Sequence, residues 1–318
     1  MNRSQFLATL ALLGLFVPRA FGNRPINRAG AAYEVDCDQP GQTIGAVLAA
    51  IANGPNGGRA TIDIHGTCKE NLFIQYLDRV TLIGHDGATI QDASNGNEAT
   101  VVVADSSYID LQSLIIDGGS SGVFCIEMST CRMENDIVQN AAIAGVHIAR
   151  SSTIMLSTTL QNNGVNGIEV VNGGLLLGDH NTITGNANQG VAVTGANLTS
   201  SSDIIQHNGR NGIRASNNAT LRLADETITN NGANGIRLES ASTLAFTDGT
   251  GTTISGNGGN GMLLLDQVNV AFSGLDNVSG NTGQPDVFCN GLYWIATLVD
   301  TIGGTTNCTQ QTRAKGKK

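Results

Sequence analysis

The sequence predicts an all-β solenoid, a parallel β-helix of roughly nine coils with a short capping helix near its N-terminus. Two observations support this prediction. An asparagine recurs every 22 to 26 residues, and a glycine followed by a branched apolar residue comes about five residues after most of these asparagines. A fixed period in the low twenties means that each period is one structural unit stacked on its neighbours. The recurring asparagines are Asn140, Asn163, Asn186, Asn208, Asn231, Asn257 and Asn281.

Within one period, short runs of alternating apolar and polar residues are separated by clusters of Asn, Gly and Ser, which is typical of short strands joined by turns. In residues 227–249, three strands fit, around Ile228, at 236–239 and at 244–246. Helical spacing is not satisfied in this region. We expect each strand to pair in parallel with its copy in the next coil, about 4.8 Å away.

Three columns of apolar residues should point inward and stack in register. The column after each glycine holds Val146/Ile148, Ile168/Val170, Val191/Val193, Ile213/Ala215, Ile236/Leu238 and Met262/Leu264. The second column holds Ile154/Leu156, Leu175/Leu177, Leu198, Leu221/Leu223, Leu244/Phe246 and Val270/Phe272. The third column holds Leu160, Ile183, Ile205, Ile228, Ile254 and Val278.

The recurring asparagines have a structural role in this prediction. Asparagine tolerates left-handed backbone at turns, and stacked amides can bond one another from coil to coil. The alternative is a polar binding strip. The glycine that opens the next strand should either adopt a positive φ or allow backbones to approach closely.

The chain divides into four predicted regions. A basic residue, Arg3, precedes an apolar run at 6–17, and the small residues Ala20 and Gly22 suit a signal peptidase; a buried N-terminal helix is the alternative. Residues 43–52 read as the capping helix, and Lys-rich residues 313–318 as a disordered tail. The regions are a signal peptide at 1–22, an N-terminal cap at 23–60, the solenoid at 61–284, and a C-terminal cap and tail at 285–318.

Composition points to an exported protein. Six cysteines suit an oxidising compartment. The favoured pairing among fifteen is sequential, because residues near in sequence stay near in a solenoid: Cys37–Cys68, Cys125–Cys131 and Cys289–Cys308. A net charge of −9 argues against a general nucleic-acid binder. Since no second long apolar run follows the signal, we expect no transmembrane segment and a secreted, periplasmic or cell-surface location; the oligomeric state is not predicted.

The coils resemble a known superfamily. The Asn-Gly-x-x-Gly-Ile pattern, with the opening stretches at 35–37, 40–44 and 66–68, is similar to the pectate-lyase-like superfamily of right-handed parallel β-helix repeat proteins, in particular its secreted bacterial members. The resemblance covers about two thirds of the chain and implies a right-handed coil. It implies function only loosely, because this fold hosts lyases, hydrolases, epimerases, adhesins and phage spikes.

The site motifs of the enzymes in that superfamily do not occur in this chain. The sequence lacks the Arg-x-Pro-x-x-Arg of pectate lyases and the Asp-Pro-His-Glu of alginate epimerases, and residues 178–181 only loosely resemble one polygalacturonase motif. It has no Cys-x-x-Cys, and its histidines are scattered. We therefore predict neither a metal nor a cofactor; calcium, the one ion left open, has no recognisable motif here.

The period places outward-facing side chains beside one another. The residue two positions after each coil glycine forms a column, in which His147 and Glu169 are neighbours and so are Arg214 and Arg237. A histidine beside a carboxylate can act as a general base or acid. Two adjacent guanidinium groups repel unless an anion lies between them, such as a uronate carboxylate, a sulfate, or Glu239 as counter-ion. The alternative is that these are solvated surface ion pairs that contribute little.

Two functional hypotheses follow. In the first, an exported protein binds or acts on an extracellular, acidic polysaccharide; as a lyase or epimerase, it would use His147 as base, Glu169 to orient it, and Arg214, Arg237 and Glu239 to bind substrate. In the second, the protein is a non-catalytic surface or periplasmic solenoid with a structural or adhesive role. The regular coils favour the second, because solenoid enzymes build clefts from extended loops.

Overall fold

The computed structural model describes residues 30–54, 59–247, 249–273, 275–291, 293–297 and 303–308. The predicted signal peptide at 1–22 and the tail at 313–318 lie outside the described residues. Within the described ranges, no helix has the length and apolar character needed to cross a membrane.

The described residues form thirty-two strands in three parallel sheets, which wind into the predicted solenoid, with about ten turns where roughly nine were expected. Sheet A contains β1 (Ala31–Asp36), β2 (Ala60–His65), β5 (Val80–Gly84), β8 (Ile109–Gln112), β11 (Thr130–Glu134), β14 (Ser152–Leu156), β17 (Leu175–Asp179), β20 (Asn197–Ser201), β23 (Thr220–Ala224), β26 (Thr243–Phe246), β29 (Val268–Ala271) and β32 (Tyr293–Thr297). Sheet B contains β3 (Thr67–Lys69), β6 (Thr89–Gln91), β9 (Ile115–Asp117), β12 (Ile137–Gln139), β15 (Thr159–Gln161), β18 (Thr182–Thr184), β21 (Ile204–Gln206), β24 (Thr227–Thr229), β27 (Thr253–Ser255) and β30 (Asn277–Val278). Sheet C contains β4 (Leu72–Gln75), β7 (Val101–Ala104), β10 (Ser121–Ile126), β13 (Ala144–Ala149), β16 (Asn166–Val171), β19 (Val191–Thr194), β22 (Ile213–Ser216), β25 (Ile236–Leu238), β28 (Met262–Leu265) and β31 (Val287–Asn290).

The predicted capping helix is present as α1 (Ile44–Ala52). It begins after Thr43, whose hydroxyl accepts a backbone hydrogen bond in the first turn. The carboxylate of Glu70 accepts hydrogen bonds from the first two N–H groups of the helix, at 2.8 and 2.9 Å, where negative charge is favourable. Leu48 and Ile51 are buried against the first coils, so the helix covers part of the core.

All residues of the first and third predicted inward columns are buried. The second column is wrong in two coils, where Ile154, Leu156, Leu175 and Leu177 are half-buried on the outer face. The inward residues there are Thr153, Met155 and Leu176. Strand β17 begins with three leucines, so its sequence shows no alternation of apolar and polar residues. Its register is therefore set by the neighbouring strand, in which Leu198 pairs with Leu176.

The predicted asparagine ladder runs along the turns between sheets B and C. Each side-chain amide but the last donates to the Oδ1 of the asparagine in the next coil at 2.8 to 3.0 Å, and that of Asn281 donates to Asp286 Oδ1. The same Oδ1 accepts the backbone N–H of the ladder residue one coil earlier. The ladder, almost completely buried, consists of Asn163, Asn186, Asn208, Asn231, Asn257 and Asn281.

Asn140 is not part of the ladder, contrary to the prediction. Its side chain is exposed and donates to Asp117 of the preceding coil. Ala141 occupies the ladder position, and its N–H donates to Asn163 at 3.0 Å. The reason is the turn geometry, in which a residue with positive φ precedes each ladder residue. Asn140, with a φ of 59°, is the counterpart of Asn162, with a φ of 56°.

The coil glycines allow close approach and do not supply a positive φ. A Cβ on Gly190 would lie 2.6 Å from Ile205 Cγ2, 2.7 Å from the Gly212 carbonyl oxygen and 2.9 Å from the Asn208 amide nitrogen. These contacts are shorter than a carbon atom tolerates. Glycine is therefore required for the ladder amide and the next strand to pack against this backbone.

A second ladder, which the sequence did not predict, fills the turns between sheets A and B. A buried side-chain oxygen in each coil accepts the backbone N–H of the equivalent residue one coil earlier. These residues are Asp136, Thr158, Asn181, Asp203, Glu226, Thr252 and Asp276.

Three carboxyl groups of this second ladder have raised pKa values. Burial raises the pKa of Asp136 to about 8. Burial also raises the pKa of Asp203 and of Glu226, and the proximity of Asp203 adds to the shift of Glu226. Their folded-state pKa values therefore lie above those of carboxyl groups in the unfolded chain.

The three predicted disulfides are present, with Cα–Cα distances of 5.0 Å for Cys37–Cys68, 6.5 Å for Cys125–Cys131 and 5.3 Å for Cys289–Cys308. The first links the end of β1 to β3, and the second lies within a single coil. The third ties β31 to the last described residues.

We predict that Asn208→Ala lowers the free energy of unfolding by about 2 kcal/mol or more, because it removes the four buried hydrogen bonds that this side chain makes with Asn186, Asn231 and Ile183. Urea denaturation would measure the change. Asn140→Gly, which keeps a residue suited to positive φ, should change stability by no more than about 0.5 kcal/mol. Equal losses in the two variants would contradict the ladder.

We predict that the protein loses stability as the pH rises from about 5 to about 8. Between the unfolded pKa of a carboxyl group, about 4, and the raised folded values, the folded state binds more protons than the unfolded state. Each such group then lowers the free energy of unfolding by up to about 1.4 kcal/mol for every unit by which the pH rises. Melting temperatures across this range should fall less in Glu226→Gln than in the wild type, whereas Glu127→Gln, at an exposed carboxylate, should follow the wild type.

Candidate functional site

The outer face of sheet C carries one continuous column of side chains, set in register by the parallel pairing of the strands. It begins and ends with apolar residues and is polar in the middle. From the N-terminal end it reads Phe73, Val102, Phe124, His147, Glu169, Ala192, Arg214, Arg237, Leu263 and Phe288. The two predicted pairs are therefore brought together on adjacent strands.

His147 and Glu169 form a hydrogen-bonded pair. His147 Nδ1 lies 3.1 Å from Glu169 Oε2, and both side chains are about three-quarters buried. This hydrogen bond lowers the pKa of the Glu169 carboxyl, so the carboxylate is ionised at neutral pH. The ring of Phe124 packs edge-on against the imidazole, with centroids 4.5 Å apart. The imidazole is thus fixed on two sides, and within the described part of the chain its Nε2 atom has no hydrogen-bond partner.

Arg214 and Arg237 are held by one carboxylate. Glu239 Oε1 accepts hydrogen bonds from Arg214 Nε and Nη2 at 2.8 and 2.5 Å. Glu239 Oε2 accepts from Arg237 Nε and Nη2 at 2.9 and 2.7 Å. The Glu239 side chain is 11% exposed, whereas the arginine side chains are 46% and 36% exposed. We call this group the arginine fork.

In the arginine fork, the Glu239 carboxylate stays ionised, and the Nη1 atoms of the two arginines make no hydrogen bond to the residues that the structure describes. Glu239 is buried, but the hydrogen bonds and charges of the two arginines outweigh burial and lower its pKa. The fork has two positive charges and one negative charge. The Nη1 atoms of Arg214 and Arg237 have no partner among the residues that the structure describes. Glu239 thus supplies the anion that was expected between the arginines. The Nη1 groups and the one excess positive charge are suited to a further anion.

Ala192 separates the two charged groups. It pairs with Glu169 on one side and with Arg214 on the other, so these two residues lie two strand spacings, or about 10 Å, apart. A methyl side chain between longer neighbours leaves a shallow depression on the sheet.

The sheet C face is open along most of its length. On the side leading to sheet A, the turns contain only two to four residues in the coils that carry the site. On the other side, the described connection at 92–100 is longer than its neighbours and lies at the N-terminal end. The Asp92 carboxylate accepts hydrogen bonds from Ser94 and Gly96 in this connection. The candidate site is therefore a flat surface and not a deep cleft.

Other ionisable residues flagged by the sequence lie elsewhere. His180 and Asp179 form an exposed pair, 2.9 Å apart, at the C-terminal end of β17 in sheet A. A further cluster on the outer face of sheet A was missed: Arg132 contacts both Asp110, at 3.2 Å, and Glu134, at 2.6 Å. Burial raises the pKa of Asp110. Asp110 and Arg132 are separated by 22 residues, which is one period, so the spacing could have predicted that they lie side by side.

The described residues contain one compact group of potential metal ligands, formed by Cys37, Cys68 and Glu70. The two cysteines are joined in a disulfide, and Glu70 caps the N-terminus of α1. These atoms therefore already take part in a disulfide and in capping the helix.

Comparisons with known proteins agree with the fold. A family model described as "Right handed beta helix region" matches residues 121–279, half of the chain. Similar solved structures include pectate lyase Pel9A, with 12% identity and a TM-score of 0.57 over 80% of this chain and 77% of that one. Another is the A-module of the Azotobacter vinelandii mannuronan C-5 epimerase AlgE6, with 13% identity and a TM-score of 0.58 over 84% of this chain and 91% of that one.

No curated protein matches the chain. At such low identities, the likeness to solved structures shows the fold alone. The right-handed β-helix that the sequence resemblance implies is confirmed by the family model, and both solved structures share this fold. The chain therefore belongs to the right-handed β-helix family.

Proposed function

We propose that this is an exported protein that binds an acidic polysaccharide along the outer face of sheet C, in the periplasm, at the cell surface or outside the cell. The observation that carries the proposal is the arginine fork, in which Glu239 holds Arg214 and Arg237 side by side. Three disulfides suit that location.

The arginine fork supports anion binding because the arginines are already positioned. Long side chains lose conformational freedom when they bind a ligand, and this cost is smaller when other contacts have ordered them. Each guanidinium retains N–H groups on Nη1, which suit a carboxylate or sulfate oxygen. The net charge of +1 at the fork contrasts with a chain that is negative overall. A neutral sugar would not use this charge.

The geometry also suits chemistry on a uronic acid. A sugar ring lying over Ala192 would place its carboxylate toward Arg214 and its opposite side toward His147. In a lyase or an epimerase, a base removes the proton beside the carboxylate while a cation stabilises the developing charge. His147 Nε2 would be that base, and the hydrogen bond from Nδ1 to Glu169 would orient the ring and stabilise the imidazolium.

The similar structures support the class of ligand. One bears the name of a pectate lyase and the other of a mannuronan epimerase, so both names refer to polysaccharides. This support concerns the polysaccharide class and not the reaction.

A second candidate function is a non-catalytic structural or adhesive solenoid. The short turns beside sheet C favour it, because no described loop encloses the site to exclude water from a reaction. The binding proposal and this alternative differ in whether an acidic glycan is bound, and the lyase or epimerase proposal differs from both in requiring turnover.

We predict that the purified protein binds polyuronates such as alginate or polygalacturonate but not neutral glucans. Arg214→Gln should weaken binding about tenfold, because it removes one charged contact. Arg222→Gln, which removes an exposed arginine from sheet A, is the matched control and should bind like the wild type. Calorimetry or affinity electrophoresis would measure binding. If neither polymer binds, or if the two variants are equally impaired, the proposed site is wrong.

For the catalytic form of the proposal, the same incubations would be followed by ultraviolet absorbance for unsaturated products and by NMR for epimerised residues. His147→Ala should abolish turnover while binding and circular dichroism remain unchanged. Binding without turnover in the wild type would instead leave a glycan-binding solenoid.

We predict that Glu239→Gln lowers the melting temperature at low ionic strength, because the adjacent charges of Arg214 and Arg237 lose their shared counter-ion. Added sulfate should restore part of the loss by binding the two guanidinium groups and balancing their charge. Glu127→Gln breaks the exposed contact with Arg150 and should have little effect. If sulfate stabilises all three proteins equally, the fork is not an anion site.

A further inference from the structure

We propose that Phe73, Tyr76 and Phe124 form an aromatic platform on which sugar rings of a polysaccharide stack, at the N-terminal end of the sheet C face. This inference rests on the proposed function, because it concerns the same ligand. It adds that the ligand is a long chain lying along the solenoid axis, from the arginine fork to these rings, and that the platform binds the chain without using charge.

The apolar end of the sheet C column adjoins its charged middle without a break. On successive strands, Phe73 pairs with Val102, Val102 with Phe124, and Phe124 with His147. The Phe124 ring also lies edge-on against the His147 imidazole, with centroids 4.5 Å apart. A glycan that lies over Ala192 and continues along this column toward the N-terminus therefore passes over Phe124 and then Phe73. The distance from Ala192 to Phe73 is five strand spacings, or about 24 Å.

The aromatic rings at this end of the solenoid are exposed. Phe73 is 60% exposed and Tyr76 is 76% exposed. Aromatic residues make up only 4% of the chain, yet the exposed ones among the residues that the structure describes, Phe73, Tyr76 and Tyr108, all lie in two adjacent coils. Aromatic side chains contribute strongly to binding when they are buried by a ligand, and exposed apolar groups beside a candidate site mark a contact surface.

Tyr76 occupies a turn position, directly after sheet C, at which the backbone has a positive φ. In the other nine coils, polar residues or glycine occupy this position, also with positive φ: Asp105, Glu127, Arg150, Asn172, Gly195, Asn217, Ser240, Asp266 and Gly291. A bulky side chain is unfavourable in this conformation, whereas asparagine and glycine adopt it readily. Because the Tyr76 ring is 76% exposed, packing within the protein does not compensate for this cost. An unfavourable residue without a structural benefit points to a role in binding.

Polar groups lie beside the rings, as recognition of a sugar requires. A sugar ring has C–H groups on its faces and hydroxyl groups around its edge. The aromatic rings suit the faces. Gln75 lies on the same face of β4 as Phe73, and its Nε2 donates a hydrogen bond to Asp105 Oδ2 at 3.2 Å. This amide and this carboxylate offer a donor and an acceptor for hydroxyl groups.

The platform and the arginine fork bind by different forces. The attraction between guanidinium and carboxylate groups on an open face is screened by salt, whereas stacking on the uncharged rings of Phe73 and Phe124 depends on burial of apolar surface. A chain that reaches from the fork to the platform therefore keeps a part of its affinity when the salt concentration is raised. A chain too short to span the distance does not.

The test is calorimetry of the disulfide-intact protein with a trisaccharide and a decasaccharide of galacturonate, and with the same pair of mannuronate, at low and high salt. Only the decasaccharides reach from the fork to the platform. Phe73→Ala and Tyr76→Asn should each weaken decasaccharide binding about tenfold and leave trisaccharide binding unchanged. Phe73→Tyr, which keeps the ring, should bind like the wild type. High salt should weaken the trisaccharides more than the decasaccharides.

The matched control is Tyr108→Asn. Tyr108 is also an exposed tyrosine with positive φ, but it directly precedes β8 of sheet A and lies against Arg79, with the guanidinium 5.7 Å from the ring centroid. This variant should bind both lengths like the wild type. The melting temperature of Tyr76→Asn should equal or exceed that of the wild type, because asparagine tolerates the positive φ; weaker binding is then not a sign of misfolding.

The platform is overturned if the decasaccharides bind Phe73→Ala and Tyr76→Asn as tightly as the wild type while Arg214→Gln weakens their binding. It is also overturned if the two platform variants weaken trisaccharide and decasaccharide binding equally. A wild type that binds none of the four oligosaccharides contradicts the proposed function itself, and the platform with it.

Discussion

The structure depends on how its buried turns satisfy their backbone N–H groups. A turn that is packed between two coils cannot bond to water, and an unpaired N–H there would cost about 1–3 kcal/mol. In this chain, a side chain from the next coil accepts that hydrogen bond. The backbone N–H of Asn186, for example, donates to Oδ1 of Asn208, and that of Asn181 donates to Oδ1 of Asp203. Each coil therefore completes the one before it, and the stack is held in register along two of its three edges.

This register determines where chemistry can occur. Because equivalent residues lie one strand apart, His147 meets Glu169 and Arg214 meets Arg237 without any local sequence motif. The asparagine ladder lies in the turns that lead into sheet C, so it fixes the register of the strands that carry these side chains. In the arginine fork, Glu239 also restricts the conformations of two long side chains, because it accepts hydrogen bonds from both Arg214 and Arg237. The resulting surface is flat, polar in the middle and apolar at both ends.

Much of the fold could be predicted from the sequence because the same residue types recur at the same positions, as the asparagines do. Prediction was wrong where the pattern was ambiguous: Asn140 has the right spacing but occupies the turn position before the ladder. The second ladder was missed because Asp136, Thr158 and Glu226 share a role without sharing a residue type. The site pairs followed from register alone. The fork did not, because register gives neighbouring positions and not the side-chain conformations with which Glu239 reaches both arginines.

In our proposal, the register fixed by the asparagine ladder gives sheet C an outer face that is already arranged for an acidic glycan. A crystal structure of the protein with a short uronic acid oligosaccharide would test it most directly. We expect a sugar ring over Ala192, with its carboxylate bonded to Nη1 of Arg214 or Arg237, and no shift in the asparagine ladder. An oligosaccharide bound on sheet A, or bound on sheet C only after Glu239 has released the arginines, would contradict it.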